Sequence, residues 1–346
     1  AIDGFTIVPR GSGRLGIYFD GGSPSSPVSV TNCTLENFGE YGFYASWSYL
    51  TGTNFTFTNN TLRNCSTGIY VYGFNGCTIR INDNAITDCE TGMELEEFDE
   101  GMGTDAEISG NTVTMDSATP SSGYGITICC PENTTRVSGN TVRGPFEYGL
   151  HITEVGCCGM TPVILSVEGN MLSGATWGLE FEDLISGIPG EVTVRNNLIK
   201  DNSCGINVNS FAYASDPLTS VEFSANSITG SLEYGFYNWS GELVNAKGNW
   251  WGDASGPFDD KTLPGTPDYN NLAGTGDRVS DYVDYDPWLT EAPKAAAPVL
   301  LSPANGAADV SVTVTLETEP FDAELAVTHK STIWQVSTAS GFSSGL

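Results

Sequence analysis

Short runs in which apolar and polar residues alternate recur along most of the chain. Examples are Gly42-Phe43-Tyr44-Ala45 and Gly149-Leu150-His151-Ile152. Alternation of this kind predicts β-strands that bury one face and expose the other to solvent. A glycine opens each run, and these glycines are Gly16, Gly42, Gly68, Gly92, Gly125, Gly149, Gly178, Gly205 and Gly235.

A second phrase places an asparagine between successive glycine-led runs. These asparagines are spaced by 23 to 30 residues, and they are Asn60, Asn84, Asn111, Asn140, Asn170, Asn197, Asn226 and Asn249. A repeat of this length with short strands and no helical half predicts a solenoid of stacked coils. Stacking would align the asparagines, so that their amides hydrogen-bond along the stack. We expect the glycines and asparagines to adopt left-handed backbone at the corners.

Several phrases resemble the right-handed parallel β-helix repeat family. They are Tyr41-Gly42-Phe43, Val137-Ser138-Gly139-Asn140-Thr141-Val142 and Asn249-Trp250-Trp251-Gly252. The stretch 248–257, followed by 283–289, is similar to the closing coil of surface proteins of this class. The resemblance implies an all-β fold with a right-handed parallel β-helix over residues 1–290. It implies no single function, because the family includes lyases, hydrolases, epimerases, adhesins and structural proteins.

The pattern changes after residue 290. Residues 291–298 are rich in proline and alanine, which predicts an extended linker. Residues 299–346 contain two further alternating runs, 310–316 and 332–336, which predict the first strands of a fibronectin- or immunoglobulin-like β-sandwich. Such a domain needs about 100 residues, so we expect the natural protein to continue. We also expect preceding sequence or a second subunit to cover the solenoid edge at Ile2.

The composition is strongly acidic, with 13 Lys and Arg against 42 Asp and Glu and a formal net charge of -29. Phosphate neutralisation needs a basic surface, so we expect no nucleic-acid or anionic-membrane partner. No stretch approaches the ~18 apolar residues of a membrane span. The composition favours an extracellular or cell-surface location, with polysaccharides, other surface proteins or further copies joined through the solenoid ends as partners.

Nine cysteines lie in the first 204 residues. Cys65 and Cys89 each precede a strand glycine by three residues, so they should stack one coil apart. A coil spacing of ~4.8 Å lies within the Cα separation that a disulfide accepts. We therefore expect a disulfide there and a second cross-link between the pairs 129–130 and 157–158, the alternative being a ladder of buried free thiols.

Outward strand positions form two rows in which ligands could lie. The central row, two residues after each glycine, is Tyr18, Tyr44, Tyr70, Glu94, Thr127, His151, Glu180, Asn207 and Tyr237. The trailing row, four residues after each glycine, is Asp20, Ser46, Tyr72, Glu96, Cys129, Thr153, Glu182, Asn209 and Trp239. Aromatic rings beside carboxylates predict a carbohydrate-binding site made of Tyr18, Tyr44, Tyr70, Tyr72, Glu94 and Glu96. The alternative is tyrosines that stack only on one another.

The same region is a candidate calcium site. Glu94, Glu96 and Asp99 lie close together in sequence with further acids beside them. Carboxylates at this density repel one another, and a hard cation with several oxygen ligands relieves the repulsion. Calcium is the only cofactor that the sequence suggests.

A second constellation is His151 in one coil with Glu180 and Glu182 in the next. Two carboxylates two residues apart on a strand lie ~6.6 Å apart at a rise of ~3.3 Å per residue. That separation is at the short end of the range used by inverting glycosidases, and a histidine could relay a proton. These three residues are the candidates if the protein is an enzyme.

The signatures of the familiar enzymes of the family are missing. Neither row contains the Arg or Lys base that the resemblance to pectate lyases would imply. His151 is flanked by Leu150 and Ile152 rather than by glycines, unlike polygalacturonases, and no Asp-Pro-His follows the Tyr-Gly-Phe phrases, unlike mannuronan epimerases. We therefore favour a non-enzymatic structural or adhesive surface protein, such as a filament or sheath subunit, over a polysaccharide lyase or glycoside hydrolase.

Overall fold

The alternating runs fold into short strands that stack in parallel from coil to coil. The computed structural model describes residues 1–11, 13–20, 27–51, 54–96, 103–116, 122–131, 133–155, 163–184, 190–210, 220–260, 270–293, 300–302 and 317–318. Within this part of the chain the regular elements are all β-strands, and most belong to three long parallel sheets. The predicted all-β parallel solenoid is confirmed.

Nine successive coils in the described ranges each give one strand to each of the three sheets. The first sheet contains Ile2–Asp3, Val28–Thr31, Phe55–Thr58, Thr78–Asn82, Asp105–Ser109, Thr134–Ser138, Val163–Glu168, Gly190–Arg195, Ser220–Ser224, Val244–Asn245 and Val283–Asp284. The second sheet contains Thr6–Ile7, Thr34–Glu36, Thr61–Arg63, Ala85–Thr87, Thr112–Thr114, Thr141–Arg143, Met171–Ser173, Leu198–Lys200 and Ser227–Thr229. The third sheet contains Leu15–Asp20, Tyr41–Thr51, Thr67–Asn75, Thr91–Glu96, Tyr124–Cys129, Tyr148–Val155, Trp177–Leu184, Cys204–Val208 and Tyr234–Asn238.

Inward side chains of the three sheets form one continuous hydrophobic core. The third-sheet residues predicted to point inward are at most 1% exposed, and they are Ile69, Val71, Met93, Leu95, Leu150, Ile152, Leu179, Phe181, Ile206 and Val208. Full burial of such a side chain contributes ~1.5–3 kcal/mol. Because these side chains point into the core, the alternate residues of the same strands lie on the outer face of the sheet.

The buried asparagines form the predicted ladder. In each step the side-chain oxygen of one asparagine accepts hydrogen bonds from the backbone N–H and the amide of the asparagine one coil earlier, at 2.9–3.1 Å. Each amide also donates to a strand carbonyl, as Asn140 does to Ile108 at 2.8 Å. The ladder thus satisfies buried backbone groups where the chain turns between sheets.

The prediction of left-handed backbone at these positions is wrong. Neither the ladder asparagines nor the strand-leading glycines have positive φ. The left-handed position is the residue before each ladder asparagine, with φ of 53–71° at Asn59, Asp83, Gly110, Gly139, Gly169, Asn196, Ala225 and Gly248. Gly, Asn and Asp tolerate this conformation best, whereas the ladder position requires asparagine for its hydrogen bonds.

The strand-leading glycines are required by close packing between coils. A Cβ atom at Gly149 would lie 2.6 Å from the carbonyl oxygen of Gly178, and one at Gly125 would lie 2.5 Å from that of Gly149. Both distances are shorter than real Cβ contacts, and both carbonyl oxygens belong to the backbone; at Gly125 the side chain of Val142 would be closer still. A side chain at these positions would push neighbouring coils apart.

The C-terminal coil is closed by an aromatic cluster. Trp251 is fully buried in the core, and the ring of Tyr285 lies 6.1 Å from that of Trp288. Pro257–Phe258 pairs in parallel with Gly276–Arg278. No helix of the described ranges is long and apolar enough to cross a bilayer.

Two domain predictions remain untested. Most of the expected linker and sandwich, 291–298 and 299–346, lies outside the described residues, apart from an antiparallel pairing of Leu300–Ser302 with Glu317–Thr318. At the other end, Ile2–Asp3 and Thr6–Ile7 are strands of the first coil, paired with the second. A cover for that edge stays a prediction.

Candidate functional site

The outer face of the third sheet, which we call the site face, carries the predicted rows in register. In the central row Tyr18 pairs with Tyr44, Tyr44 with Tyr70, and Tyr70 with Glu94. The row continues through Thr127, His151, Glu180, Asn207 and Tyr237. The trailing row places Tyr72 beside Glu96 and Thr153 beside Glu182. The predicted juxtapositions are therefore present, while the role of these residues in binding stays a prediction.

Three central-row tyrosines form an offset stack at the N-terminal end of the site face. The ring centroids of Tyr18 and Tyr44 are 5.0 Å apart, those of Tyr44 and Tyr70 are 5.1 Å apart, and the rings are inclined by 22° and 13°. These separations exceed the ~3.5–4.0 Å of direct carbon contact, so each ring is displaced sideways over the next. The offset leaves part of each ring face uncovered, and Tyr18 is 50% exposed. The ring of Tyr72 lies 6.5 Å from that of Tyr70, with nearly parallel planes.

The tyrosine stack continues directly into carboxylates. The hydroxyl of Tyr70 donates a hydrogen bond of 2.7 Å to Oε2 of Glu96. Burial raises the pKa of Glu94 to about 7, and the charge of Glu96 and a hydrogen bond to it act in the same direction. Burial, followed by the hydrogen bond to Glu96, also raises the pKa of Tyr70. Glu94 therefore keeps its proton to a higher pH than an exposed carboxyl would.

His151 is held between two coils at the middle of the site face. Its Nε2 atom lies 3.2 Å from Oε2 of Glu182, and its Nδ1 atom lies 3.2 Å from Oγ1 of Thr127. Burial lowers the pKa of His151, although Glu182 acts in the opposite direction. A neutral imidazole carries one proton, and a carboxylate only accepts. Nε2 therefore donates to Glu182, and the Thr127 hydroxyl donates to Nδ1.

Glu180 is an outward residue that its surroundings bury, with 4% of its surface exposed. Burial raises the pKa of this carboxyl to about 7, opposed by a hydrogen bond from Asn207. In the described part of the chain, Oε2 of Glu180 and Oδ1 of the equally buried Asn207 have no hydrogen-bond partner. Glu182, two residues later, is half-exposed and contacts His151. The two carboxylates of the catalytic hypothesis thus occupy different environments.

The sequence reasoning missed a third row. The leading row consists of the residue before each glycine. Its register places Tyr41 next to the tyrosines of the central row. Further along the solenoid, the leading-row residues next to His151 and Glu180 are Tyr124, Tyr148 and Trp177. Tyr41 lies 5.1 Å from Tyr44 and 5.2 Å from Tyr70 between ring centroids. The rings of Tyr124 and Tyr148 stack on His151 at 5.3 and 4.8 Å. The signal was an aromatic residue directly before several strand glycines.

Only part of the expected calcium site lies within the described residues. Glu94 and Glu96 are neighbours, but Asp99 lies outside the described residues. Among the residues that are described, the one group of three metal-ligating side chains is Cys129, Cys130 and Glu154, whose ligand atoms lie within 4.8 Å of one another. Cys130 is not among the free thiols, so this group carries no metal proposal. Calcium binding by Glu94, Glu96 and Asp99 stays a prediction.

The predicted disulfide between Cys65 and Cys89 is wrong. Both are buried free cysteines, and a hydrogen bond between them, rather than a covalent bond, affects the pKa of each thiol. They act as small apolar filling of the core, which was the alternative from the sequence. The second predicted cross-link involves Cys157 and Cys158, which lie outside the described residues.

A separate cleft of about 580 Å³ lies on the second sheet. Its lining includes Arg143, Ser173 and Lys200, which stack in register on three successive coils. This cleft contains two of the 13 basic side chains of the protein, and two aspartates, Asp116 and Asp201, also line it. Its charge contrasts with that of the site face, where the described positions of the three rows hold no Lys or Arg.

Comparison with known proteins agrees with the fold. Residues 8–161 match the family model described as right handed beta helix region. The match over residues 8–161 agrees with the right-handed parallel β-helix that the resemblance implied. The curated proteins give no match. The family match is compatible with pectate-lyase-like enzymes and with non-enzymatic surface proteins, so the site has to decide between them.

Proposed function

We propose that the protein is a non-enzymatic extracellular or cell-surface protein that binds polysaccharide along the site face. The observation that carries the proposal is the unbroken run from the stack Tyr18–Tyr44–Tyr70, through the Tyr70–Glu96 hydrogen bond, to the half-buried acids. The run follows the axis of a rigid solenoid. A linear polymer lying parallel to this axis would meet the same chemistry on several coils.

The chemistry of the site face suits sugar rings. The uncovered parts of the tyrosine rings offer flat apolar surface for the C–H faces of a pyranose. Carboxylate and amide oxygens accept hydrogen bonds from hydroxyls, and few convergent polar groups are enough to fix orientation. The strands are anchored by the core, so little ordering would be needed on binding.

Composition supports a location outside the cell. The formal net charge of -29 gives high solubility and works against association with nucleic acid or anionic lipid. A structural or adhesive role would add contacts between solenoid ends, where unpaired strand edges invite association. Polysaccharide on the face and protein at the ends are separate surfaces, so one molecule could use both.

One observation favours a second function, a glycoside hydrolase. Buried Glu180, with its pKa raised to about 7, could act as an acid, and half-exposed Glu182 contacts His151. Different environments for two nearby carboxylates are typical of acid–base pairs. A lyase is less well supported, because the described rows lack a basic residue to abstract a proton.

Binding can be tested by retardation of the protein in gels that contain soluble polysaccharides. The wild-type chain should be retarded by at least one polysaccharide, and Tyr44→Ala should reduce retardation several-fold. Ile164→Ala is the matched control, since Ile164 is 48% exposed on the first sheet and should leave retardation unchanged. Absence of retardation by any polysaccharide would overturn the proposal. Release of reducing ends that disappears in Glu180→Gln would replace it with the hydrolase.

A further inference from the structure

The site face combines an excess of carboxylates with two buried acceptors that lack donors among the described residues. Glu94, Glu96, Glu180 and Glu182 lie on four positions of two adjacent rows. Glu147 is near enough for its charge to affect the pKa of Glu180, His151 and Tyr148. A polymer of uronic acids would add further negative charge to this surface and would be repelled.

The two acceptors lie side by side. Glu180 and Asn207 are register partners on neighbouring coils and are 4% and 3% exposed. Asn207 donates to the Glu180 carboxyl, which leaves Oε2 of Glu180 and Oδ1 of Asn207 without a partner in the described ranges. A buried acceptor without a donor destabilises the protein, because it has lost its hydrogen bonds to water without replacing them. The pair is therefore suited to a ligand group that donates more than one hydrogen bond.

An ammonium group meets this requirement better than a hydroxyl. It carries three donors and a positive charge, whereas a hydroxyl has one donor and no charge. Hydrogen bonds from a charged donor to a carboxylate are roughly twice as strong as neutral ones. One ammonium could donate to both acceptors and offset the charge of Glu180.

The aromatic side chains of the site face are also suited to a cation. The guanidinium of Arg278 already lies 5.0 Å from the ring centroid of leading-row Tyr234, at the C-terminal end of the face. A cation within ~6 Å of an aromatic ring is attracted to its face. Tyr148 and Trp177 occupy the leading-row positions next to His151 and Glu180, where an ammonium on Glu180 would find the same kind of neighbour.

We propose that the glycan bound by the site face is a polymer of amino sugars whose amino groups are free, and that Glu180 and Asn207 receive one ammonium. This inference rests on the proposed function and names its ligand class. It predicts selection by charge: free amines bind, N-acetylated amines bind weakly, and uronates are rejected. It also predicts that Glu180 governs this selection, although many exposed acids elsewhere share its charge.

The test is calorimetric titration with three oligosaccharides of equal length: a fully deacetylated β-1,4-glucosamine hexamer, its N-acetylated counterpart and a galacturonate hexamer. The titrations are run in 0.5 M salt, which screens attraction between the oligomers and the general negative charge. The deacetylated hexamer should bind at least tenfold more tightly than the acetylated one, and the galacturonate hexamer should not bind to the site face. Glu180→Gln should reduce the preference to less than threefold.

Glu191→Gln is the matched control, because Glu191 is an exposed glutamate on the first sheet, and it should keep the full preference. Thermal melting should show that both variants fold. Equal binding of the acetylated and deacetylated hexamers would overturn the amino-sugar inference and leave the proposed function standing. A preference that survives Glu180→Gln would also overturn it, since attraction would then be general. Failure of all three oligosaccharides to bind would overturn the amino-sugar inference, whereas the proposed function fails only if no polysaccharide retards the protein in the gel assay.

Discussion

The hydroxyl of Tyr70 donates a 2.7 Å hydrogen bond to Oε2 of Glu96, across the boundary between the aromatic and acidic halves of the site face. The register partner of Tyr70 on the adjacent coil is Glu94, and Glu96 lies two residues further along the same strand, opposite Tyr72. The contact fixes the last ring of the tyrosine stack and holds Glu96 beside Glu94. A ligand that spans the boundary would thus meet an ordered surface.

Tyr70→Phe should weaken glycan binding, and its loss of stability should not exceed that of one hydrogen bond, ~0.5–1.5 kcal/mol. The variant keeps the ring and its stacking on Tyr44 but removes the hydroxyl that orients Glu96. A net contribution of ~0.5–1.5 kcal/mol for one hydrogen bond corresponds to a loss in affinity of roughly 2- to 13-fold. Titration with the preferred oligosaccharide measures this loss. Unchanged affinity would mean that the boundary lies outside the bound region.

The buried Glu180 carboxyl should make stability depend on pH in a definite direction. Its pKa rises from 4.5 when unfolded to about 7 when folded, so the folded state holds the proton more tightly. Its contribution is full below pH ~4.5 and is lost as the pH rises through about 7. Glu180→Gln should therefore gain stability relative to wild type between pH 5 and 8.

After allowance for solvent screening, we expect a gain of about 1 kcal/mol, or about 2–4 °C in melting temperature at pH 8. The difference between variant and wild type should be small at pH 5. Glu191→Gln, on the exposed first-sheet position, should show no such trend. A constant difference across this pH range would contradict the assignment of Glu180 as a buried acid.

Asn140→Ala should be strongly destabilising. The side chain of Asn140 accepts from the backbone and amide of Asn111 and donates to Ile108 and Asn170. Its removal leaves buried donors and an acceptor unpaired, at a cost of at least ~2 kcal/mol. Urea denaturation should show a lower midpoint. Asn54→Ala is the control, because the Asn54 side chain is exposed and only its backbone carbonyl oxygen accepts a hydrogen bond, from the N–H of Val28. A similar loss of stability in this control would contradict a special role for the asparagine ladder.

Gly149→Ala should be destabilising although the backbone there is not left-handed. The added Cβ would lie 2.6 Å from the carbonyl oxygen of Gly178, and such overpacking costs ~1–3 kcal/mol. Gly39→Ala is the matched control, since its Cβ would meet nothing closer than 3.8 Å. Equal melting temperatures for the two variants would show that the coils separate without cost.

Calcium should raise the melting temperature if Glu94, Glu96 and Asp99 bind it, because a ligand that binds only the folded state stabilises it. The rise should be lost in the double variant Glu94→Gln/Glu96→Gln. The double variant Glu191→Gln/Glu222→Gln removes two exposed acids of the first sheet and should retain it. If added calcium and its chelation leave the wild-type melting curve unchanged, the metal site does not exist.

The sequence predicted most of the fold because the fold repeats a local pattern. Alternation of period two identified the strands and the inward residues such as Leu150 and Ile152, and the asparagine spacing gave the coil length. The reason for the glycines could not be predicted, since the clash at Gly149 is with a residue one coil away. Likewise, the left-handed backbone at Asn59, next to Asn60, depends on how the chain turns between two sheets, and the residue pattern alone does not show this.

The sequence predicted which residues form the rows of the candidate site, but not how deeply each side chain is buried. Counting from each glycine placed Tyr70, Glu94 and His151 on one face. Burial of Glu180 could not be predicted, because it depends on neighbours in other coils and on the leading row, which includes Tyr148. The Cys65–Cys89 disulfide failed for a related reason, since coil spacing permits a bond but does not require one.

The most direct test of glycan binding on the site face is a crystal structure of the protein with the deacetylated glucosamine hexamer bound. We predict sugar rings lying along the solenoid axis over Tyr44 and Tyr70, with one ammonium within hydrogen-bond distance of Glu180 and Asn207. A hexamer bound only elsewhere, such as the second-sheet cleft with Arg143 and Lys200, would contradict the account.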